Sequence, residues 1–157
     1  MPRSAPFRLD RSVTHRLHTL GKLTDRVTQQ AYLADAGMAL GEGRCLSAVA
    51  SFGPLSVNDL AGLANLNKGQ ASRAAQALVE RGLVSKTAAP SDGRGVLLAL
   101  TEAGAQQWAR LQPVIERRNA QITACLSTDE LALLDGLLDR LLAQARLHAG
   151  AEPSVED

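Results

Sequence analysis

Aromatic side chains are scarce in this chain. They make up 3% of its 157 residues, whereas 45% of the residues are hydrophobic. The core must therefore be built from leucine, alanine and valine, a composition that favours helices. The length allows one domain of ordinary size.

Cysteines and long hydrophobic runs are also few. Cys45 and Cys125 lie 80 residues apart, a spacing that does not make a disulfide framework. No apolar run approaches the roughly 20 residues that a membrane span requires. The first six residues lack the hydrophobic core of a signal peptide. We therefore expect a cytoplasmic protein with no membrane partner.

Clusters that could carry catalysis are lacking as well. The sequence has no nucleophile elbow, and the glycine pair at Gly41 and Gly43 follows no strand, which excludes a nucleotide loop. His15 and His18 lie one helical turn apart, but no carboxylate or cysteine partner is near them in sequence. We expect surface or interface histidines, and neither enzymatic activity nor a cofactor or a bound metal.

Two helix-capping signals follow each other in the middle of the chain. Ser56 can cap one helix, with the carboxylate of Asp59 reaching back, and Asn67 can cap the next, with Gln70 in the same reciprocal role. The pattern predicts two short helices separated by a turn.

The hydrophobic period changes after the second of these helices. Gly82 ends it, because glycine tolerates a positive φ. Residues 83–86 and 96–100 then read as strands around a turn-rich tip. Helix, turn, helix and hairpin together predict a winged helix. The predicted fold class is mainly α with a small β-hairpin wing, joined to a helical dimerisation region.

The first half of the second helix carries the polar side chains that a helix needs to enter the major groove of double-stranded DNA. They are Lys68, Gln70, Ser72 and Arg73. Arg73 matches guanine and Gln70 matches adenine. In the wing, Arg94 can enter the narrow minor groove, and Asp92 would orient it. Residues 66–100 carry a surplus of three positive charges, which predicts salt-sensitive binding.

The last predicted helix, which Ser127 can cap with Glu130 in the reciprocal role, is more apolar than one chain can easily bury. Its leucines cover more than one face: Leu131, Leu133, Leu134, Leu137, Leu138, Leu141 and Leu142. Leaving them in water would forfeit about 1.5 to 3 kcal/mol each, and such a patch marks an interface. We predict a homodimer joined by the N- and C-terminal helices, whose two-fold symmetry implies a pseudo-palindromic operator.

Two arginines adjoin apolar helix faces. Arg16 flanks the stripe of the first helix, next to His15, and Arg44 opens the second helix. Each could hold a carboxylate in a crevice between the dimerisation helices and the DNA unit. Structural ion pairs are the alternative interpretation.

The order of several short segments resembles that of the MarR family of bacterial transcription regulators. These segments are residues 64–68 leading to Arg73, then residues 78–84, 92–94 and 98–104. The resemblance covers nearly the whole chain. It implies groove contacts from the four polar residues of the second helix and a minor-groove contact from Arg94. It also implies a phosphate contact from Lys86, and repression relieved by a small aromatic or phenolic acid. Gly69 departs from the pattern, because the family often has a small hydroxyl residue there.

Helical periodicity predicts a first helix over residues 9–34 and a long helix from residues 100–101 to about residue 125. The predicted organisation places the dimerisation region in residues 9–34 and 101–148, the winged helix in residues 41–100, and flexible ends in residues 1–8 and 149–157. Two other functions stay open. The same fold could sense oxidants through Cys45 or Cys125, or metals through the histidine pair. Both cysteines, however, lie among apolar residues of predicted helices, where a buried, unreactive thiol is usual. The chain could also be a winged-helix module that binds a protein partner.

Overall fold

The computed structural model describes residues 6–89 and 95–150. Its helices are α1 Val13–Ala31, α2 Leu40–Phe52, α3 Val57–Leu63, α4 Lys68–Glu80, α5 Glu102–Ile122 and α6 Thr128–Gly150. A 3-10 turn at Leu9–Arg11 precedes α1, and a π turn at Tyr32–Ala36 follows it. Strands β1 Val84–Ala88 and β2 Val96–Leu100 form an antiparallel hairpin. The predicted class, mainly α with a β-hairpin wing, is confirmed.

Helix starts follow the capping signals. The hydroxyl of Ser56 accepts a hydrogen bond from the Asp59 N–H at 3.1 Å. Before α6, Ser127 and Glu130 form both reciprocal bonds, at 2.8 and 3.3 Å. The Asp59 carboxylate was predicted to reach back to the backbone. In the structure it accepts a hydrogen bond from the Ser56 hydroxyl instead, at 2.8 Å.

Two helix ends lie inside their predicted limits. The first helix begins at Val13 rather than Leu9, because Ser12 caps it by accepting from the His15 N–H at 3.3 Å. Helix α5 ends at Ile122, and residues 123–125 form a turn. Cys125 is therefore exposed on a turn, and the expectation that it lies on a helix among apolar residues is wrong.

The core lies where α2, α3 and α4 pack against the hairpin. Ala71, Ala74 and Ala75 are buried along α4, and their small side chains allow neighbouring helices to approach closely. Leu55 and Leu98 exchange two backbone hydrogen bonds, of 3.0 and 2.8 Å, which attach β2 to the segment before α3. The wing is thus anchored at its base.

Two glycines are required by the local backbone. Gly82 ends α4 with φ of +70°, a conformation that disfavours other side chains. A Cβ on Gly104 would lie 1.9 Å from the backbone oxygen of Leu83. Gly104 therefore lets the start of α5 pass directly against the chain that enters β1.

The chain divides into two compact units, Met1–Arg118 and Asn119–Asp157. In the second unit, α6 leaves six leucines between 40 and 69% exposed: Leu133, Leu137, Leu138, Leu141, Leu142 and Leu147. None of the described residues of α6 is buried.

Within the first unit, α1 packs through polar rather than apolar side chains. Asp25, Thr28 and Gln29 make its hydrogen bonds to α2 and α5. Its apolar stripe is instead between 41 and 63% exposed: Val13, Leu17, Leu20, Leu23 and Val27. A helix with this arrangement presents its apolar stripe outward.

No helix in the described part of the chain is both long and apolar enough to cross a membrane. Most of the residues predicted to form flexible ends, 1–5 and 151–157, lie outside the described part.

Candidate nucleic-acid interface

Helix α4 separates its polar and apolar side chains cleanly. Ala71, Ala74, Ala75 and Leu78 are buried against the core. On the opposite side, the four residues predicted to read DNA are all exposed: Lys68, Gln70, Ser72 and Arg73. An exposed polar row at the start of a helix is the arrangement that major-groove reading requires.

The N-terminus of α4 is closed by a complete capping box. The Asn67 Oδ1 accepts a hydrogen bond from the Gln70 N–H at 2.8 Å, and the Gln70 Oε1 accepts from the Asn67 N–H at 3.1 Å. The predicted capping role of both residues is confirmed. The bidentate contact with adenine predicted for Gln70 would use the same Oε1.

The guanidinium of Arg73 lies close to Gly69. A Cβ at Gly69 would lie 3.5 Å from Arg73 Nη1 and 3.5 Å from Asn67 Oδ1, at ordinary van der Waals distance. The arginine thus reaches back to the first turn of α4. A Cβ at this position would therefore fit beside Arg73.

Lys86 connects the hairpin to α4. From β1 its ammonium donates to the Gln76 Oε1 at 2.9 Å, and the Gln76 amide donates to the Glu80 Oε1 at 3.0 Å. Lys86 is exposed, so its charge faces solvent beside the helix. No local sequence pattern predicts this link, because residues 76 and 86 belong to different elements.

The wing is described up to the base of its tip. Its last strand pair joins Ala88 and Val96, and the Ala89 N–H donates to the Gly95 oxygen at 2.8 Å. Asp92 and Arg94 lie outside the described residues, so their roles at the minor groove stay predictions.

Arg81, which was counted in the predicted charge surplus, pairs with other residues of the fold. Arg81 donates to Glu42 at 2.5 Å and to the Gly37 oxygen at 3.3 Å, which fastens the end of α4 to the start of α2. Of the described basic residues in this region, Lys68, Arg73 and Lys86 therefore provide the positive field.

The three predicted ligand residues line two different cavities. His15 and Arg16 border an open groove of about 630 Å³ along α1. Arg44 borders a crevice of about 240 Å³, together with residues of α2, α3 and α5. The structure therefore does not bring His15 and Arg16 together with Arg44 in one site.

Arg44 is held by a residue that the sequence analysis missed. Its Nη2 donates to Asp25 Oδ1 at 2.6 Å. Burial raises the pKa of the neighbouring Tyr32, the positive charge of Arg44 opposes that rise, and Asp25 adds to it. The sequence does contain a pattern that indicates such a contact. Asp25, Thr28 and Gln29 form a polar stripe at helical spacing on α1.

The two thiols differ in their surroundings. Cys45 is buried in the core, and burial, with a smaller contribution from Glu42, raises its pKa to about 11. This agrees with the interpretation of Cys45 as an unreactive thiol. Cys125 is exposed. Within residues 6–89 and 95–150, no three His, Cys, Asp or Glu side chains gather as a metal site would require.

Comparison with known proteins adds independent information. Residues 36–95 match the MarR_2 profile of the MarR family. A Thauera aromatica protein, described as a transcriptional regulatory protein for the hcr operon, is 31% identical over 108 residues, 69% of this chain and 65% of that protein. This chain thus spans just under two thirds of that relative's length.

Two further relatives cover more of the chain. The multiple antibiotic resistance protein MarR of Escherichia coli K12 is 25% identical over 127 residues, which cover 80% of this chain and 88% of that protein. The crystal structure of a MarR family transcriptional regulator from Silicibacter pomeroyi matches with a TM-score of 0.77 at 25% identity. That match covers 92% of this chain and 97% of the other.

Proposed function

This chain belongs to the MarR family, and we propose that it is a sequence-specific DNA-binding transcription regulator. It acts as a homodimeric repressor that a small aromatic or phenolic acid releases from a pseudo-palindromic operator. An operator-bound regulator of this kind works in the cytoplasm.

The exposed polar face of α4 is the observation that carries the DNA-binding proposal. Lys68, Gln70, Ser72 and Arg73 lie on it, and Lys86 is held beside the same helix. This geometry supports base contacts from α4 and a phosphate contact from Lys86. Arg94 would add a contact in the minor groove.

The outward apolar stripe of α1 and the exposed leucines of α6 support the homodimer. Each helix leaves a row of large aliphatic side chains in water. Burying each such side chain would contribute up to about 1.5 to 3 kcal/mol. The dimerisation region would comprise residues 9–34 and 101–148, and the DNA-binding unit residues 41–100.

The crevice beside Arg44 supports binding of an aromatic acid. It combines a guanidinium with the apolar side chains of Phe52, Leu63 and Ile115. At about 240 Å³ it lies below the roughly 300 to 1,000 Å³ of typical ligand pockets, which favours a single-ring compound. His15 and Arg16 line the groove along α1, where the second copy would pack.

The first experiment would measure binding of the purified protein to fluorescently labelled DNA from its own upstream region, across a salt series. Selective binding by a protein whose mass in solution is that of two chains would support the regulator. Addition of benzoate and 2-hydroxybenzoate would then test release. Selective binding that no acid weakens would keep the DNA function and exclude the acid response. Absence of selective binding would favour the protein-binding module instead.

A further inference from the structure

Arg44, which borders the crevice, already has a carboxylate partner from the protein itself. Asp25, on α1, accepts from Arg44 Nη2, on α2, at 2.6 Å. The two side chains are 42 and 32% exposed, so the pair lies at the border between the crevice and solvent. An incoming acid can reach this guanidinium without opening the core.

The lining of the crevice makes Arg44 the anchor for an anion. Among the described residues that line it, Arg44 carries the positive charge, and Ser47 and Ser51 add hydroxyl groups. The remaining walls are mostly apolar or aromatic, including Phe52, Leu63 and Ile115. A ring would contact these walls while its carboxylate turns towards Arg44.

A carboxylate from a ligand and the carboxylate of Asp25 compete for the same donors. A guanidinium binds a carboxylate most strongly through two parallel N–H···O bonds, and one edge of the guanidinium can bind only one carboxylate in this way. The observed contact joins one nitrogen to one oxygen. A ligand that binds in bidentate geometry at the edge used by Asp25 would therefore have to displace it.

We propose that Asp25 is an internal counter-ion which occupies the acid-binding position on Arg44 and lowers the affinity of the crevice for acids. This inference rests on the acid response proposed above and identifies the residue that tunes it. The pair also connects α1 to α2, as does the bond from the Leu40 N–H to Gln29 Oε1 at 2.7 Å. Displacing Asp25 would remove one of these two ties.

Replacing Asp25 while keeping Arg44 tests the proposal. Asp25→Asn should bind benzoate and 2-hydroxybenzoate about fivefold more tightly than the wild type, because a partly exposed ion pair contributes up to about 1 kcal/mol. Arg44→Gln should lose acid binding. The measurement is calorimetric titration, with thermal unfolding to show that each variant is folded.

Two controls separate competition from a general change in structure. Asp35→Asn removes a different ion pair of the same unit, with Arg117, and should leave acid affinity unchanged. Benzamide has no charge to compete with, so its binding should be the same in the wild type and Asp25→Asn. Should Asp25→Asn fail to fold, Asp25→Ser makes the same test.

The outcomes distinguish this proposal from the wider function. Equal or weaker benzoate binding by Asp25→Asn, with binding still lost in Arg44→Gln, would overturn the counter-ion and leave the acid site intact. Binding that appears only in Asp25→Asn would support the counter-ion strongly. If neither the wild type nor Asp25→Asn bound any acid, this inference and the proposed acid response would both be wrong, while operator binding would still be judged separately.

Discussion

The side-chain oxygen of Gln70 accepts the backbone N–H of Asn67 at 3.1 Å, so the residue proposed to contact adenine also closes the end of its own helix. The proposed base contact and the observed helix cap thus depend on one side chain. Substitutions at this position can separate the two tasks, because glutamate keeps the acceptor oxygen and lacks the amide donor.

We expect Gln70→Glu to fold with wild-type stability, since a carboxylate at this position caps equally well and suits the helix N-terminus. Gln70→Ala should lose about 0.5 to 1 kcal/mol of stability, because the Asn67 N–H loses its partner. Both variants should lose about 1 to 3 kcal/mol of discrimination at one operator base pair. Urea unfolding and binding to single-base operator variants measure the two effects. Unchanged base preference in both variants would restrict Gln70 to capping.

Arg73 and Lys68 should differ in what they contribute to DNA binding. Arg73→Ala should relax base preference at one position by about 1 to 3 kcal/mol. Lys68→Ala should weaken binding to all sequences alike and reduce the slope of log affinity against log salt by about 1. Titrations of operator and scrambled DNA at several salt concentrations measure both quantities. The assignment of Arg73 to base reading would be abandoned if its variant weakened both DNAs equally.

Gly104→Ala should destabilise the protein by about 2 kcal/mol or more, because its Cβ would lie 1.9 Å from the Leu83 oxygen. Gly62→Ala is a matched control on α3, where a Cβ meets nothing within 4 Å. It should stabilise the fold by about 0.4 to 1 kcal/mol, because alanine restricts the unfolded chain. Chemical denaturation of both variants measures the difference. A Gly104→Ala variant as stable as Gly62→Ala would contradict the close approach.

The buried thiol of Cys45 should make stability depend on pH in the alkaline range. Its pKa is raised to about 11 by burial, whereas an unfolded thiol ionises near pH 9. Between these values the folded state binds more protons, so stability falls as the pH rises from about 9 to 11, by on the order of 2 kcal/mol.

Cys45→Ala provides the comparison for this effect. The variant should be less stable at neutral pH, because the buried side chain is truncated, but it should lose less stability on alkaline titration. Tyr32 also has a raised pKa and titrates in both proteins, so the difference between the two slopes isolates Cys45. Parallel slopes would show that the thiol does not ionise in this range.

Features local in sequence were predicted well. The capping boxes at Asn67 and Ser127 and the stop at Gly82 depend on residues within one turn of each other, so composition and spacing were enough to locate them. The exposed row on α4 followed from the same periodicity.

Features that join distant parts of the chain were not predicted. Asp25 lies 19 residues from Arg44 and Gln76 lies 10 from Lys86, and each pair meets only because two elements pack together. The placement of Cys125 failed for a related reason. The apolar residues around it suggested burial, but the chain turns there before α6 begins.

The bond from Lys86 to Gln76 has a consequence for exchanging DNA specificity between regulators. A graft that transfers only the first half of α4 would place new base-reading residues on a helix whose other half still holds the original wing strand. A graft that replaces Gln76 without Lys86 would remove the side-chain hydrogen bond that joins β1 to this helix. Residues 76 and 86 should therefore be transferred together with the first half of α4.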